Sequence, residues 1–504
     1  MNPVQPSVDT SAARAARPDQ TSPPRDHPPH DDAHTEAVPR VLTGRRRTTL
    51  LVLAVVAVLS AAALVAGLLS WSPDRSEPSR ALTGDERERL AAMRVTNHRD
   101  LRAGVRVTTG TGSDRTELVG WVDWSRPLVY LDVGGPGAGA ERGLLQATPT
   151  VAVLRPDPSA VPTAAPPPLV PPADRWRLHD PSGGRGVAAV LDLLFRLGAD
   201  RPEQPSEAAR WVGRATVGAE PVDILQAPSA PGTPSPPASA ATGDHPRYWL
   251  DRDARLHRLE TGLPGVGPVT VQLIRTDRPT LRPVDALGGR PGQPRALTAG
   301  ERNRLDRLPA RLRAAGGAAV TLTAPLAADT NLRGAGWVSW AGRAAYVAVT
   351  DLGAPERRAL LRVDGTDVTR AEVPATTVPG TVEAPGPPPL PPPARGWRAD
   401  PTRADDLGLL LDAALRAARS TASRGATLRV RGDSLSGRTV DVVELRPSGA
   451  LLRYWIDRSG VLRRVELRTR SGAWAQLDLT PGAVPRWPAA RPAPQRPEAP
   501  AAGR

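Results

Sequence analysis

Seven histidines, at positions 27, 30, 34, 98, 179, 245 and 257, are the side chains in this sequence best suited to proton transfer near neutral pH or to metal ligation. Three of them fall with two aspartates in HPPHDDAH, His27 to His34. Imidazoles and carboxylates at that spacing are ligands for zinc or nickel. The stretch contains Pro-Pro and lies in a run poor in large apolar residues, so it does not preorganise ligands and reads as a polar tail. Cysteine is absent, which excludes disulfides, thiolate metal sites, a thiol nucleophile and an acylated cysteine anchor. The chain carries no G-x-S-x-G, no H-E-x-x-H and no phosphate-binding loop. Asp251 and Asp457 recur in matched surroundings, DRDA and DRSG, but these are turn sequences, where aspartate is favoured for its own backbone hydrogen bonds. The expectation is a chain without catalytic residues, metal site or cofactor.

Those two aspartates sit inside a longer coincidence. RYWLDRDARLHRLE begins at Arg247 and RYWIDRSGVLRRVE at Arg453. The duplication extends well beyond these fourteen residues. ALTGDERERL from Ala81 matches ALTAGERNRL from Ala296, and Thr83 with Glu86, like Thr298 with Glu301, fits the capping box of a helix start. GWVDWSRPLVYLDV from Gly120 aligns without a gap to GWVSWAGRAAYVAV from Gly336, each reading as two short strands around a turn. PPPLVPPADRWR from Pro166 matches PPPLPPPARGWR from Pro387, polyproline-like connectors read as stiff spacers. Apolar helices follow, VAAVLDLLFRL from Val187 and LGLLLDAALRAA from Leu407. Their polar stripes are the i,i+4 pairs Asp192–Arg196 and Asp412–Arg416. Strands then return, EPVDIL from Glu220 and RTVDVVEL from Arg438, ahead of the RYW motif.

Arg247 follows Val222 by 25 positions, against 13 from Val440 to Arg453, and the excess of 12 falls in APSAPGTPSPPASAATGD, a stretch rich in Pro, Ser, Ala and Gly. An insertion confined to a loop is what a structural repeat predicts. All four tyrosines and eight of the twelve tryptophans fall at matched positions. None of the four histidines beyond residue 34 has a counterpart in the second copy, and Arg463 stands opposite His257. A histidine mechanism therefore cannot be shared by both repeats. The fold class expected is α+β: two tandem repeats, each a curved antiparallel sheet packed on helices. A helix as apolar as the second in each repeat must be covered on most faces.

Thr48 to Trp71 is a charge-free apolar segment of membrane-spanning length, with Arg45, Arg46 and Arg47 before it and Trp71 at its far edge. It reads as an uncleaved single-pass anchor with a cytoplasmic N-terminus; a cleaved signal peptide, the alternative, usually has a shorter apolar core. The domain plan expected is a disordered tail over 1–47, the anchor over 48–71 and a linker over 72–80. The first repeat follows over 81–285, a linker over 286–295, the second repeat over 296–487 and a disordered tail over 488–504. Lysine is absent, and the net charge of +14 is arginine interspersed with acids, without a run suited to nucleic acid.

The order helix, strands, apolar helix, strands, together with the late RYWIDRSGVLRRVE motif, resembles the LolA/LprG-like envelope proteins, to which a unit of the sensor protein RseB is related. The resemblance implies a half-barrel closed by helices over a cavity for acyl chains of lipids or lipoproteins. It implies ligand contacts from Trp121, Trp124, Tyr130, Leu191, Leu194 and Tyr248 in the first repeat, and from Trp337, Trp340, Tyr346, Leu411 and Tyr454 in the second. The function expected is a membrane-anchored extracytoplasmic protein binding a lipid or other apolar ligand in the cell envelope. A non-enzymatic sensor or scaffold for envelope protein partners is the alternative.

Overall fold

The structure, a computed structural model, describes residues 78–160, 163–180, 186–228, 245–365, 367–374, 386–399, 405–419, 427–447 and 450–488. The apolar run over 48–71 and the histidine-rich stretch over 27–34 lie outside these residues. Among the described residues no helix is long and apolar enough to cross a membrane.

The described strands form two sheets of twelve. The first comprises β1 (Arg80–Ala81), β2 (Arg102–Thr109), β3 (Thr116–Asp123), β4 (Leu128–Gly134), β5 (Gly143–Ala147), β6 (Ala152–Pro156), β7 (Arg177–His179), β8 (Arg210–Val217), β9 (Glu220–Gln226), β10 (Arg247–Leu250), β11 (Leu256–Leu263) and β12 (Gly267–Ile274). Their spatial order is β1-β8-β9-β10-β11-β12-β2-β3-β4-β5-β6-β7, and every pair is antiparallel. The second sheet runs from β13 (Arg295–Ala296) to β24 (Trp474–Pro481) and repeats this order with each strand number raised by twelve. Identical topology across both halves is the structural form of the sequence duplication.

Helix α1 (Gly84–Arg99) and its counterpart α3 (Ala299–Ala315) begin at the expected capping boxes. Thr83 Oγ1 accepts from Glu86 N, and the Glu86 carboxylate accepts from Thr83 N; Thr298 and Glu301 do the same. Each glutamate also pairs with the arginine of the short edge strand, Arg80 at 2.7 Å and Arg295 at 2.6 Å. One carboxylate thus fixes both the helix start and the edge of the sheet.

The apolar helices are α2 (Val187–Arg196) and α4 (Asp406–Arg416). In the first repeat, residues from β2 to β6, β8 to β12 and both helices belong to one buried cluster. Twelve strands laid flat would span about 50 Å. A single cluster around two helices can touch nearly all of them only if the sheet curls around it. Period-two alternation then sends Val105, Leu118 and Leu131 inward, and Trp121 and Tyr130 to the outer face. The RYW motif forms a hairpin in each repeat. Asp251 Oδ1 accepts from Asp253 N and Arg255 N, both at 2.9 Å, and Asp457 Oδ1 accepts from Val461 N at 2.9 Å. The second carboxylate oxygen takes His257 in one repeat and Arg463 in the other, each at 2.9 Å. The matched aspartates are turn-formers, and the His/Arg exchange is accommodated by one shared acceptor.

The proline-rich connectors are not spacers. Trp176 Nε1 donates to Pro172 O at 2.6 Å and Trp397 Nε1 to Pro393 O at 2.7 Å, so each connector folds back on itself. Both tryptophans are buried in the outer-face clusters. The segment after each last strand also crosses the outer face. Gln146 on β5 donates to Arg282 O at 3.0 Å, and the matched Arg362 donates to Pro488 O. In the first repeat this strap continues onto the second sheet. Asp285 pairs with Arg464 at 2.8 Å, and Gly288 O accepts from Arg431 at 3.0 Å and Arg453 at 3.1 Å.

Candidate functional site

Helix α2 carries two stripes. Val187, Val190 and Leu194 are buried in the core. Ala188, Leu191, Asp192 and Phe195, spaced i, i+3, i+4 and i+7, line a cavity of about 570 Å³. Its facing wall comes from the β5–β6 turn, Thr148 to Ala152, and from Leu178 and His179 on β7. The second repeat closes it with Leu326, Ala327 and Ala328, and Ser471 reaches the rim. Leu178 N donates to Asn331 Oδ1 at 2.6 Å, which satisfies the outermost strand of the first sheet with a side chain of the second repeat. The cavity is therefore a joint product of both repeats.

Most of its lining residues are apolar, and Thr148, Thr150, Asp180, Asp192 and Ser471 supply polar groups. His179 Nε2 lies 3.6 Å from Glu141 Oε1, beyond hydrogen-bonding distance, and neither atom has a hydrogen-bond partner. Burial pushes the Glu141 carboxyl up and the His179 imidazole down, so both are driven toward their neutral forms. A cavity of this size falls within the roughly 300–1,000 Å³ of small-molecule sites.

In the second repeat the helix is buried more deeply. Gly408 stands where the first repeat has Ala188, and seven residues of α4 are buried against four of α2. Leu410, Leu411 and Ala414 are fully buried in one cluster with strands of their sheet.

The eleven residues expected at a ligand fall on different surfaces. Leu191 lines the cavity. Trp124 and Trp340 act on the helix ends: their indole Nε1 groups donate to Leu194 O at 2.9 Å and Ala414 O at 3.0 Å, carbonyls in the last turn of α2 and α4. Leu194 and Leu411 are core residues on those helices. Tyr454 is buried and donates to Ala413 O at 3.3 Å. Tyr248 packs against the first core, and burial pushes its phenol up to about 12. Trp121, Tyr130, Trp337 and Tyr346 lie on the outer faces, the rings of each pair 6.2 and 6.3 Å apart. Trp121 Nε1 donates to Asp277 Oδ2 at 2.7 Å, which holds the strap.

Sequence reasoning missed Phe195, Val151, Leu178 and Leu326. Phe195 was within reach, being the chain's single phenylalanine and one helical turn beyond Leu191. The other three come together only through the packing of the repeats.

A second cavity, of about 310 Å³, adjoins the first and shares Thr148, Thr150 and Val151 with it. Arg446, Arg453, Arg468, Glu444 and Trp474 line it, with Leu287 from the strap. The Arg453 guanidinium carbon lies over the Trp474 ring, 3.8 Å from its centroid.

The strap also buries a charge cluster. Arg464 and Glu466 side chains are 7% and 1% exposed beneath it, whereas their counterparts Arg258 and Glu260 in the first repeat are 38% and 32% exposed. The stacking of arginine on tryptophan is retained in both, Arg464 over Trp455 at 4.8 Å and Arg258 over Trp249 at 5.1 Å.

No family model matches the chain, and no curated protein does. Solved structures do. The Mycobacterium tuberculosis lipoprotein LppX is 11% identical, with 36% of this chain and 94% of that one covered at a TM-score of 0.21. A DUF1329 family protein from Desulfovibrio piger is 9% identical, with 36% and 92% covered and a TM-score of 0.20. A LolA superfamily protein from Nitrosomonas europaea is 14% identical, with 38% and 96% covered and a TM-score of 0.19.

Proposed function

We propose that this chain is a non-enzymatic, membrane-anchored protein of the cell envelope that binds a lipid or another apolar ligand outside the cytoplasm. The observation that carries the reading is the cavity of about 570 Å³, lined on the α2 side by Ala188, Leu191 and Phe195, of which Leu191 also belongs to the core. A helix that spends one apolar stripe on the sheet and a second on an open cavity suits a chain-shaped apolar guest. The uncharged run from Thr48 to Trp71, with three arginines before it, supports the anchor and its orientation. The first repeat is the binding unit in this reading, and the second is its wall and support.

The test is native mass spectrometry of the full chain extracted from its host membrane, followed by solvent extraction of bound material. Wild type is expected to carry lipid that Leu191→Arg loses. Phe195→Arg, at a less buried position, carries the comparison if Leu191→Arg fails to fold. A protein that arrives without lipid and takes up none when it is offered refutes the proposal and favours a sensor or scaffold.

A further inference from the structure

The second cavity bears on what the ligand's other end is. Three arginines, Arg446, Arg453 and Arg468, line it against one carboxylate, Glu444. Arg446 donates to Glu444 at 3.2 Å, which leaves two formal positive charges in excess. Arg453 is held rigidly: it stacks on Trp474, and its terminal nitrogen donates to Gly288 O at 3.1 Å. Its Nε is buried with no hydrogen-bond partner, 3.6 Å from the Glu444 carboxylate. Arg468 stands exposed at the end of β23 (Leu462–Arg468). A fixed guanidinium, next to two more on longer reach, suits a phosphate or carboxylate, which arginine binds in paired hydrogen bonds.

This cavity is not isolated from the apolar one. The β5–β6 turn forms a wall of both, and the Ser471–Gly472 turn reaches both as well, Ser471 lining the first and Gly472 the second. We infer that the ligand is an anionic amphiphile, its chain in the cavity against α2 and its acidic head across the Thr148–Val151 turn beside Arg446, Arg453 and Arg468. The inference rests on the apolar-ligand reading above and specifies its headgroup. It also gives the second repeat a part in recognition, because every one of these arginines belongs to it.

The experiment compares three probes of one chain length, hexadecyl phosphate, hexadecanol and hexadecyltrimethylammonium, with the full chain in neutral nanodiscs, read by quenching of tryptophan fluorescence. Hexadecyl phosphate is expected to bind at least about tenfold more tightly than hexadecanol, the worth of one charge-assisted contact. The variant carrying Arg446→Gln and Arg468→Gln, both at exposed positions, keeps Arg453 and is expected to shrink that difference by weakening the binding of hexadecyl phosphate. Equal binding of phosphate and alcohol, or an advantage undiminished in the double variant, overturns the inference while the apolar cavity stands. Binding of none of the three probes refutes the cavity reading itself.

Discussion

Replacing Glu466 by glutamine tests the charge cluster beneath the strap. Its carboxyl is 1% exposed, among Arg464 at 3.7 Å and Arg453 at 3.9 Å, with Arg431, Glu444, Asp478 and Asp285 around those arginines. Burial pushes it up to about 7 from the ordinary 4.5, against the pull of Arg464 and Arg453. Between those two values the folded chain keeps a proton that the unfolded chain has released. The group's contribution to stability is therefore present in full below about pH 4.5 and is lost as pH rises through 7. Two and a half pH units correspond to roughly 3 kcal/mol. Wild type should lose about that much more than E466Q between pH 4.5 and pH 8. Hydrogen exchange of the β22 (Leu452–Asp457) to β24 amides, corrected for intrinsic rates, reads the local opening free energy directly. At pH 8, E466Q should be the better protected of the two. If E466Q is instead less protected at pH 8, the carboxylate is ionised and paired, and the argument from burial is refuted.

Three further outcomes follow from the packing. Trp124→Phe and Trp340→Phe should each cost about 1–3 kcal/mol by leaving a helix-end carbonyl without its donor, and the two losses should be similar because the contacts are matched; urea titration of each variant checks this. Leu194→Ala, at a fully buried position, should cost about 2–5 kcal/mol, read as a lowered denaturation midpoint. Gly336→Ala and Gly120→Ala should both be strongly destabilising, at or above the roughly 1–3 kcal/mol of overpacking, because the added Cβ would lie 2.1 Å from Tyr346 O and 2.0 Å from Tyr130 O on the neighbouring strand. Near-wild-type melting temperatures in either glycine variant would contradict that close approach.

The repeat was legible because aromatic residues are so scarce that matched tryptophans and tyrosines stand out. The capping boxes, the i,i+4 pairs and the turn aspartates were legible because each is a local device whose partner lies within a few residues. The straps were not. Residues 286–295 read by composition as a linker, and nothing local says that Asp285, just before them, will meet Arg464 some 179 positions on. The proline-rich connectors misled for the same reason, since Trp176 and Trp397 find their place only against a sheet face assembled from elsewhere. Strand alternation carried more than was drawn from it. In GWVDW the two tryptophans are three positions apart, so in an extended chain they point to opposite faces. That spacing alone separates Trp121 on the outside from Trp124 on the inside, and argues against placing both at one ligand.

The strap is fastened in succession to Trp121, Gln146, Arg464 and the pair Arg431 and Arg453. A connection tied down at so many points leaves no hinge. The two repeats are then one mechanical body, and a pull or a clamp applied to the second is felt at the wall of the cavity in the first. Loosening a single fastening, by freeing Asp277 from the Trp121 indole for example, would restore slack between the halves and let that wall part from α2 without unfolding either sheet.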